Sequence, residues 1–149
     1  MLGGFFGGAK AAVGQAMQKN LVEAMGAGGV FIAMADGTIE TKETQAITEA
    51  MLQVPKINEA FRNDIRALTT PVQKYIELAQ ASPLMARQQF RKEIEDVRAN
   101  RDNALLVAAA CYDVARRSGD ISAVEKEAFK TVLEWLGLTL SDVGLPSSF

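Results

Sequence analysis

Histidine is missing from the 149 residues, cysteine occurs once and proline four times. Without histidine there is no Ser-His-Asp or Cys-His nucleophile, no imidazole general base and no His-ligated zinc or iron. Carboxylates therefore carry whatever chemistry the chain performs. One cysteine makes no internal disulfide, and Cys111, set in Ala108-Ala109-Ala110-Cys111-Tyr112, reads as a small buried hydrophobe rather than a reactive thiol. That suits a reducing compartment. A basic stripe is lacking too: 16 Lys and Arg stand against 18 Asp and Glu, both signs are mixed along the chain, and the formal charge is −2. This argues against a nucleic-acid partner. The longest apolar run, Ala104 to Tyr112, is far below the roughly 18 residues of a membrane span. No basic region followed by a long apolar stretch marks a signal peptide. No run alternates with period two between turn signals, so strands are not expected. The expectation is one soluble, cytoplasmic, all-α domain over 1–149, long enough to bury a core.

What is present centres on Ala35 to Glu43, Ala-Asp-Gly-Thr-Ile-Glu-Thr-Lys-Glu. Asp36-Gly37 is a turn signal, because glycine supplies positive φ without steric cost and aspartate bonds its own backbone two residues on. A helix is predicted from about Thr41 to Gln53, with Ile47, Ala50, Met51 and Val54 as its apolar stripe, and Pro55 ends it. The arrangement returns at a constant offset of 82 residues: Gly37 against Gly119, Ile39 against Ile121, Glu43 against Glu125. The stripe lands on Phe129, Val132, Leu133 and Leu136, with Gly137 as the stop. An internal duplication follows, and it predicts a bundle of about six to eight helices built from two pseudo-symmetric helix-loop-helix halves.

Around these halves the chain divides readily. Residues 1–8 read as a flexible, Gly-rich tail folded back on the core; Leu2, Phe5 and Phe6 also offer a segment for shallow insertion into a membrane or for a partner's groove. A first helix is expected from about Ala9 to Gln18. The apolar and small residues from Leu21 to Ala35, with Gly26, Gly28 and Gly29, read as a second helix. Its repeat partner, Asn103 to Arg117, lacks Gly and Pro, and small residues let another helix approach closely; a split near Gly26 to Gly29 is the alternative. Ile57 to Leu68 carries a moderate stripe of Ile57, Ala60, Phe61, Ile65 and Leu68. Thr70, Pro71 and Gln73 then look like the cap, first position and third position of a new helix with Val72, Tyr75, Ile76 and Ala79 inward. From Pro83 to about Ala99, Phe90, Ile94 and Val97 point inward. Arg87, Arg91, Lys92, Glu95, Asp96 and Arg98 form a solvated face, with Arg91–Glu95 and Lys92–Asp96 spaced for ion pairs.

Asp36 to Glu43 matches the second half of an EF-hand loop, but the ligands of the first half fail. Its first and third positions would be Ile32 and Met34, and in the second copy Val114 and Arg116, none of which binds a hard cation. What survives is one half-loop with Asp36, Glu40 and Glu43 and another with Asp120, Ser122 and Glu125, Ser118 standing in the place of Asp36. Brought together by the pseudo-two-fold, they could supply the roughly six to eight oxygens that calcium takes. Capping is the competing reading. Ser122-Ala-Val-Glu125 is a capping box by itself and acids suit any first helical turn, which accounts for Glu125 and Glu43 but less well for Asp36, Glu40 and Asp120.

The doubled D-G-x-I-x-x-x-E pattern (its second copy reading Gly119-Asp120-Ile121), the small-residue helix before each turn and the ending Leu136-Gly137-Leu138-Thr139-Leu140-Ser141-Asp142-Val143-Gly144-Leu145 resemble the TerB family of tellurite-resistance proteins over nearly the whole chain. The resemblance implies an all-helical fold of two pseudo-symmetric halves and a divalent cation, calcium first, on Asp36, Glu40, Glu43, Asp120 and Glu125. Ser118 departs from the family's usual Asp. The implied role is a cation-binding interaction protein of a stress-response system, without turnover. It would dock to a protein partner, such as a membrane protein of that system, at the inner face of the membrane. A metal-free structural adaptor and a metal-dependent hydrolase are the alternatives.

Overall fold

Three glycines within four positions would ordinarily break a helix, yet residues Leu2–Ala33 form one uninterrupted helix, α1, through Gly26, Gly28 and Gly29. The computed structural model of the chain describes residues 2–117 and 119–149, with side chains from Ala12 onward. Packing explains the continuity. A Cβ added to Gly28 would lie 2.6 Å from Cys111 Sγ, and one added to Gly29 would lie 2.6 Å from Ile47 Cγ1. The glycines are therefore the surface on which two other helices lie directly against the α1 backbone. Leu21, Met25, Val30 and Ile32 fill the remaining positions of that segment, each at most 1% exposed.

The other helices are α2 (Thr41–Leu52), α3 (Pro55–Phe61), α4 (Arg66–Ala81), α5 (Pro83–Glu95), α6 (Arg101–Arg116) and α7 (Ala123–Leu136). Short 3-10 turns at Met34–Asp36 and Ser141–Val143 complete the order, and no strand occurs among the described residues. The fold is thus an all-α bundle with α1 at its axis, packed against each of α2 to α7.

The offset of 82 carries α1 onto residues 84–115, the span of α5 plus α6, and the start of α2 onto the start of α7. One half is straight where the other is broken. Asn100 accepts the Asn103 N–H at 3.0 Å and so caps α6. Its counterpart in α1 is Gln18, a helix-compatible residue that is not a favoured cap, and the helix runs on. The two helices expected over 9–18 and 21–35 are accordingly one. The flexible tail expected at 1–8 is helical in its backbone from Leu2, while the side chains of Leu2, Phe5 and Phe6 lie outside the described residues.

Three further boundaries differ from expectation. The helix predicted over Ile57 to Leu68 ends at Phe61, leaving Ile65 39% exposed. Its successor starts at Arg66, so Pro71 lies inside α4 instead of opening it. The buried set Leu68, Val72, Tyr75, Ile76 and Ala79 forms one continuous i, i+4, i+7, i+8, i+11 stripe, and burying Leu68 requires the turn before the proline to be helical. As the sixth residue of α4, Pro71 leaves the Ala67 carbonyl without its helical donor and crowds it with the ring. Helix α5 stops at Glu95 rather than near Ala99.

The repeat stripe is buried as expected: Ile47, Met51, Phe129, Val132, Leu133 and Leu136 are all at most 3% exposed. Phe129 lies 5.7 Å from the Tyr112 ring and 5.8 Å from Phe149. Phe31 and Trp135 are 4.9 Å apart. Arg87, expected on the solvated face, lays its guanidinium 5.3 Å from both of those rings, an arrangement that favours arginine.

Truncating Phe129 to Ala removes a fully buried ring and is expected to cost about 3–5 kcal/mol in urea denaturation; a loss below about 1 kcal/mol would show that the stripe does not carry the core. Gly29→Ala gains helix propensity of about 1 kcal/mol, but its methyl meets Ile47, and overpacking costs about 1–3 kcal/mol. The variant should melt below the wild type, and Ile47→Val in the same chain should recover part of the loss. If Gly29→Ala alone melts higher, the close approach of α1 and α2 is not limiting.

Candidate functional site

Both acidic turns form for the same local reason. Gly37 sits at φ +90° and Gly119 at φ +109°, with open space where a side chain would be. Backbone conformation, not crowding, selects glycine there. Asp36 Oδ1 accepts the Thr38 N–H at 3.0 Å and closes the first turn. The 3-10 turn Met34–Asp36 also packs on α7, the helix that the second turn opens.

At the next step the repeat is kept atom by atom. Glu43 Oε1 accepts the Glu40 N–H at 2.9 Å, and Glu125 Oε1 accepts the Ser122 N–H at 3.1 Å. In the second half the box is complete, since Ser122 Oγ accepts the Glu125 N–H at 3.3 Å and donates to Glu125 Oε1 at 2.9 Å. The capping reading is therefore correct for one oxygen of each glutamate. It leaves the other. Glu43 is 1% and Glu125 3% exposed, and Glu43 Oε2 and Glu125 Oε2 are buried with no hydrogen-bond partner. A helix needs one oxygen from its capping glutamate; a second, buried and unpaired, destabilises the fold unless something else meets it.

Burial holds the Glu43 carboxyl above its ordinary range. The Glu40 N–H opposes the shift, and the charges of Asp36, Glu40 and Glu125 add to it. The structure thus brings Asp36, Glu40 and Glu125 into the electrostatic reach of Glu43. Asp120 is exposed and is the repeat counterpart of Thr38, not of an acid. Asp36 and Glu40 are exposed as well, Glu40 pairing with Lys42 at 3.2 Å. Ser118 lies outside the described residues. Among the described residues no group of three or more Asp, Glu or Cys side chains is gathered closely enough to hold a metal ion. The donor set is nevertheless all hard oxygen, and its two orphaned buried oxygens fit a hard cation.

A second carboxylate pair went unpredicted. Glu93 of α5 is 8% exposed and accepts from Gln89 Nε2 at 2.6 Å. Burial, then a hydrogen bond to Glu23 of α1 and the Glu23 charge, push the Glu93 carboxyl up to about 7. Lys19 approaches Glu23 at 3.8 Å, and burial followed by the charges of Glu93 and Glu23 raises Tyr75 of α4. Two signals were available in the sequence. Glu23 is the only charge between Leu21 and Ala35, and Glu93 falls in the buried spacing Ala86, Phe90, Ile94, Val97. Cys111 behaves as its sequence setting suggested: it is fully buried, which pushes its thiol up to about 12.

Compared with family models, curated proteins and solved structures, the chain matches none. Among the described residues no helix is long and apolar enough to cross a membrane.

The Glu93 pair makes stability depend on pH with a definite sign. The native carboxyl holds its proton up to about 7, against an ordinary 4.5, so the folded state binds more protons in that window. Its contribution is complete below the ordinary value and is lost as pH rises through about 7. Glu93→Gln keeps shape and removes the titration. Its melting temperature should exceed that of the wild type at pH above about 7.5 and lose the downward slope between the two values; a variant that melts lower than wild type at alkaline pH contradicts the assignment.

Proposed function

We propose that the chain is a divalent-cation-binding interaction protein of the TerB-like kind, working by docking and not by turnover. The observation that carries this reading is the pair of buried, unpartnered oxygens, Glu43 Oε2 and Glu125 Oε2, placed at equivalent positions of the repeat. Glu43 and Glu125 would hold the ion through those oxygens, with Asp36, Glu40 and Asp120 supplying further oxygens from the exposed turns. A bound cation, calcium being the first choice for flexible all-oxygen coordination, would neutralise like charges that now oppose one another across the two halves. The partner is a protein of a stress-response system, at the inner face of a membrane.

The competing reading is a metal-free adaptor, which the capping bonds of Glu43 and Glu125 favour as far as one oxygen of each. Thermal melts with calcium separate the two. A ligand that binds only the folded state at a hundredfold excess over Kd stabilises by about 2.7 kcal/mol, a shift of about 5–10 °C at this length. Glu43→Gln and Glu125→Gln retain an oxygen for the cap. They should abolish the calcium shift while leaving the ion-free protein as stable or more so, because burial and like charge no longer oppose the native state. If wild type responds to calcium no more than to sodium at equal ionic strength, and both variants melt lower, the acids are caps and nothing more.

A further inference from the structure

A cleft of about 370 Å³ opens between α1, α3 and α4, a volume within the roughly 300–1,000 Å³ of small-molecule sites. Val22, Phe61 and Pro71 give it an apolar lining, and Gln15, Lys19 and Glu23 supply its polar side chains. The repeat shows that the fold does not require an acid there. At the offset of 82, Glu23 falls on Leu105 and Phe61 on Val143, and both of those residues line a second, smaller cleft against α6. Leucine serves in that cleft where the first has a carboxylate.

The hydrogen-bonding groups of the first cleft select its ligand. Gln15 Nε2 already donates to the Ala60 carbonyl at 3.1 Å and to Asp64 Oδ2 at 3.3 Å, which leaves the side-chain oxygen of Gln15 as its open group. Ala67, also in the lining, has a carbonyl that Pro71 deprives of its helical donor. With the Glu23 carboxylate these make three acceptors. Among the described lining residues Lys19 is the only cation; its side chain is 73% exposed and its ammonium stands 3.8 Å from Glu23, a solvated pair that contributes little. Behind Glu23 lies Glu93, hydrogen-bonded to it and holding its proton up to about 7. Two carboxyl groups thus share one loosely held ammonium. What the cleft lacks is positive charge and donors. An ammonium ligand brings both, whereas a carboxylate or a phosphate brings neither.

We propose that this cleft binds an organic ammonium ion, its nitrogen at Glu23 and its apolar body against Val22, Phe61 and Pro71. The inference is independent of the acidic turns, and its test is run with a chelator and no added calcium. The full chain, isotope-labelled, is titrated with benzylamine while backbone amide shifts are recorded by NMR. Saturable shifts should appear at Val22, Phe61 and Ala67. Benzyl alcohol keeps the shape without the charge, and methylammonium keeps the charge without the body. Each should bind at least about tenfold more weakly, because a hydrogen bond to a charged group and burial of an aromatic ring both contribute on that scale. Glu23→Gln should lower benzylamine affinity about tenfold and bring it level with benzyl alcohol. Ala16 is exposed and lines the same cleft, so Ala16→Leu adds bulk at its edge; it should weaken both aromatic probes about tenfold while the melting temperature stays unchanged. Absence of saturable shifts at those amides overturns the proposal, as does benzylamine binding that survives either substitution or that benzoate matches. Shifts confined to the acidic turns would assign the amine to Asp36 and Glu40 and equally overturn it.

Discussion

Backbone contact along α1 is the constraint on which the rest of the molecule depends. Gly28 and Gly29 bring Cys111 and Ile47 to within the space of one methyl group, so α6 and α2 are set at distances that larger residues would forbid. Once those two helices are fixed, so are the turns attached to them, since α2 follows the first turn directly and α6 leads into the second. The geometry of the acidic turns is thus decided some distance away, by residues without side chains in the middle of a buried helix.

Within that frame the two glutamates face opposing demands. As third residues of their helices they satisfy backbone donors at Glu40 and Ser122; as buried carboxylates they each retain an oxygen that nothing in the protein meets. A glutamine would satisfy the cap with less electrostatic cost, since Glu43 also feels three neighbouring carboxylates. Keeping acids at both equivalent positions is therefore unfavourable for the folded state taken alone. What recurs at both positions is the unmet oxygen, and that recurrence is the observation behind the proposed cation site.

Legibility in the sequence followed the range of the forces involved. The α2 and α7 stripes, the turn glycines and the second capping box are local patterns, and they lie where residue spacing placed them. The offset of 82 carried the pairing of Glu43 with Glu125 as well. What escaped was decided by tertiary contact. Gln18 gave no sign of whether α1 would break, because only the missing cap distinguishes it from Asn100. Pro71 carried the marks of a helix start, and the demand to bury Leu68 overrode them. Of the five carboxylates expected together, Glu43 and Glu125 are buried as a matched pair, whereas Asp120 has no acidic counterpart in the first half and remains exposed. Glu93 was hidden among charged neighbours on a helix whose outer face is solvated.

The uninterrupted course of α1 has a mechanical consequence. A helix is stiff over its whole length, and the distance from Val13 to Ala33 is about 30 Å at a rise of about 1.5 Å per residue. Its C-terminal end leads straight into the turn that holds Asp36, and toward its other end Gly14 lies close against Ala60. No hinge intervenes, since the break present between α5 and α6 has no equivalent here. Held by six other helices along its course, α1 shifts only with the bundle as a whole, so the turn at its C-terminal end has no freedom of position independent of the core.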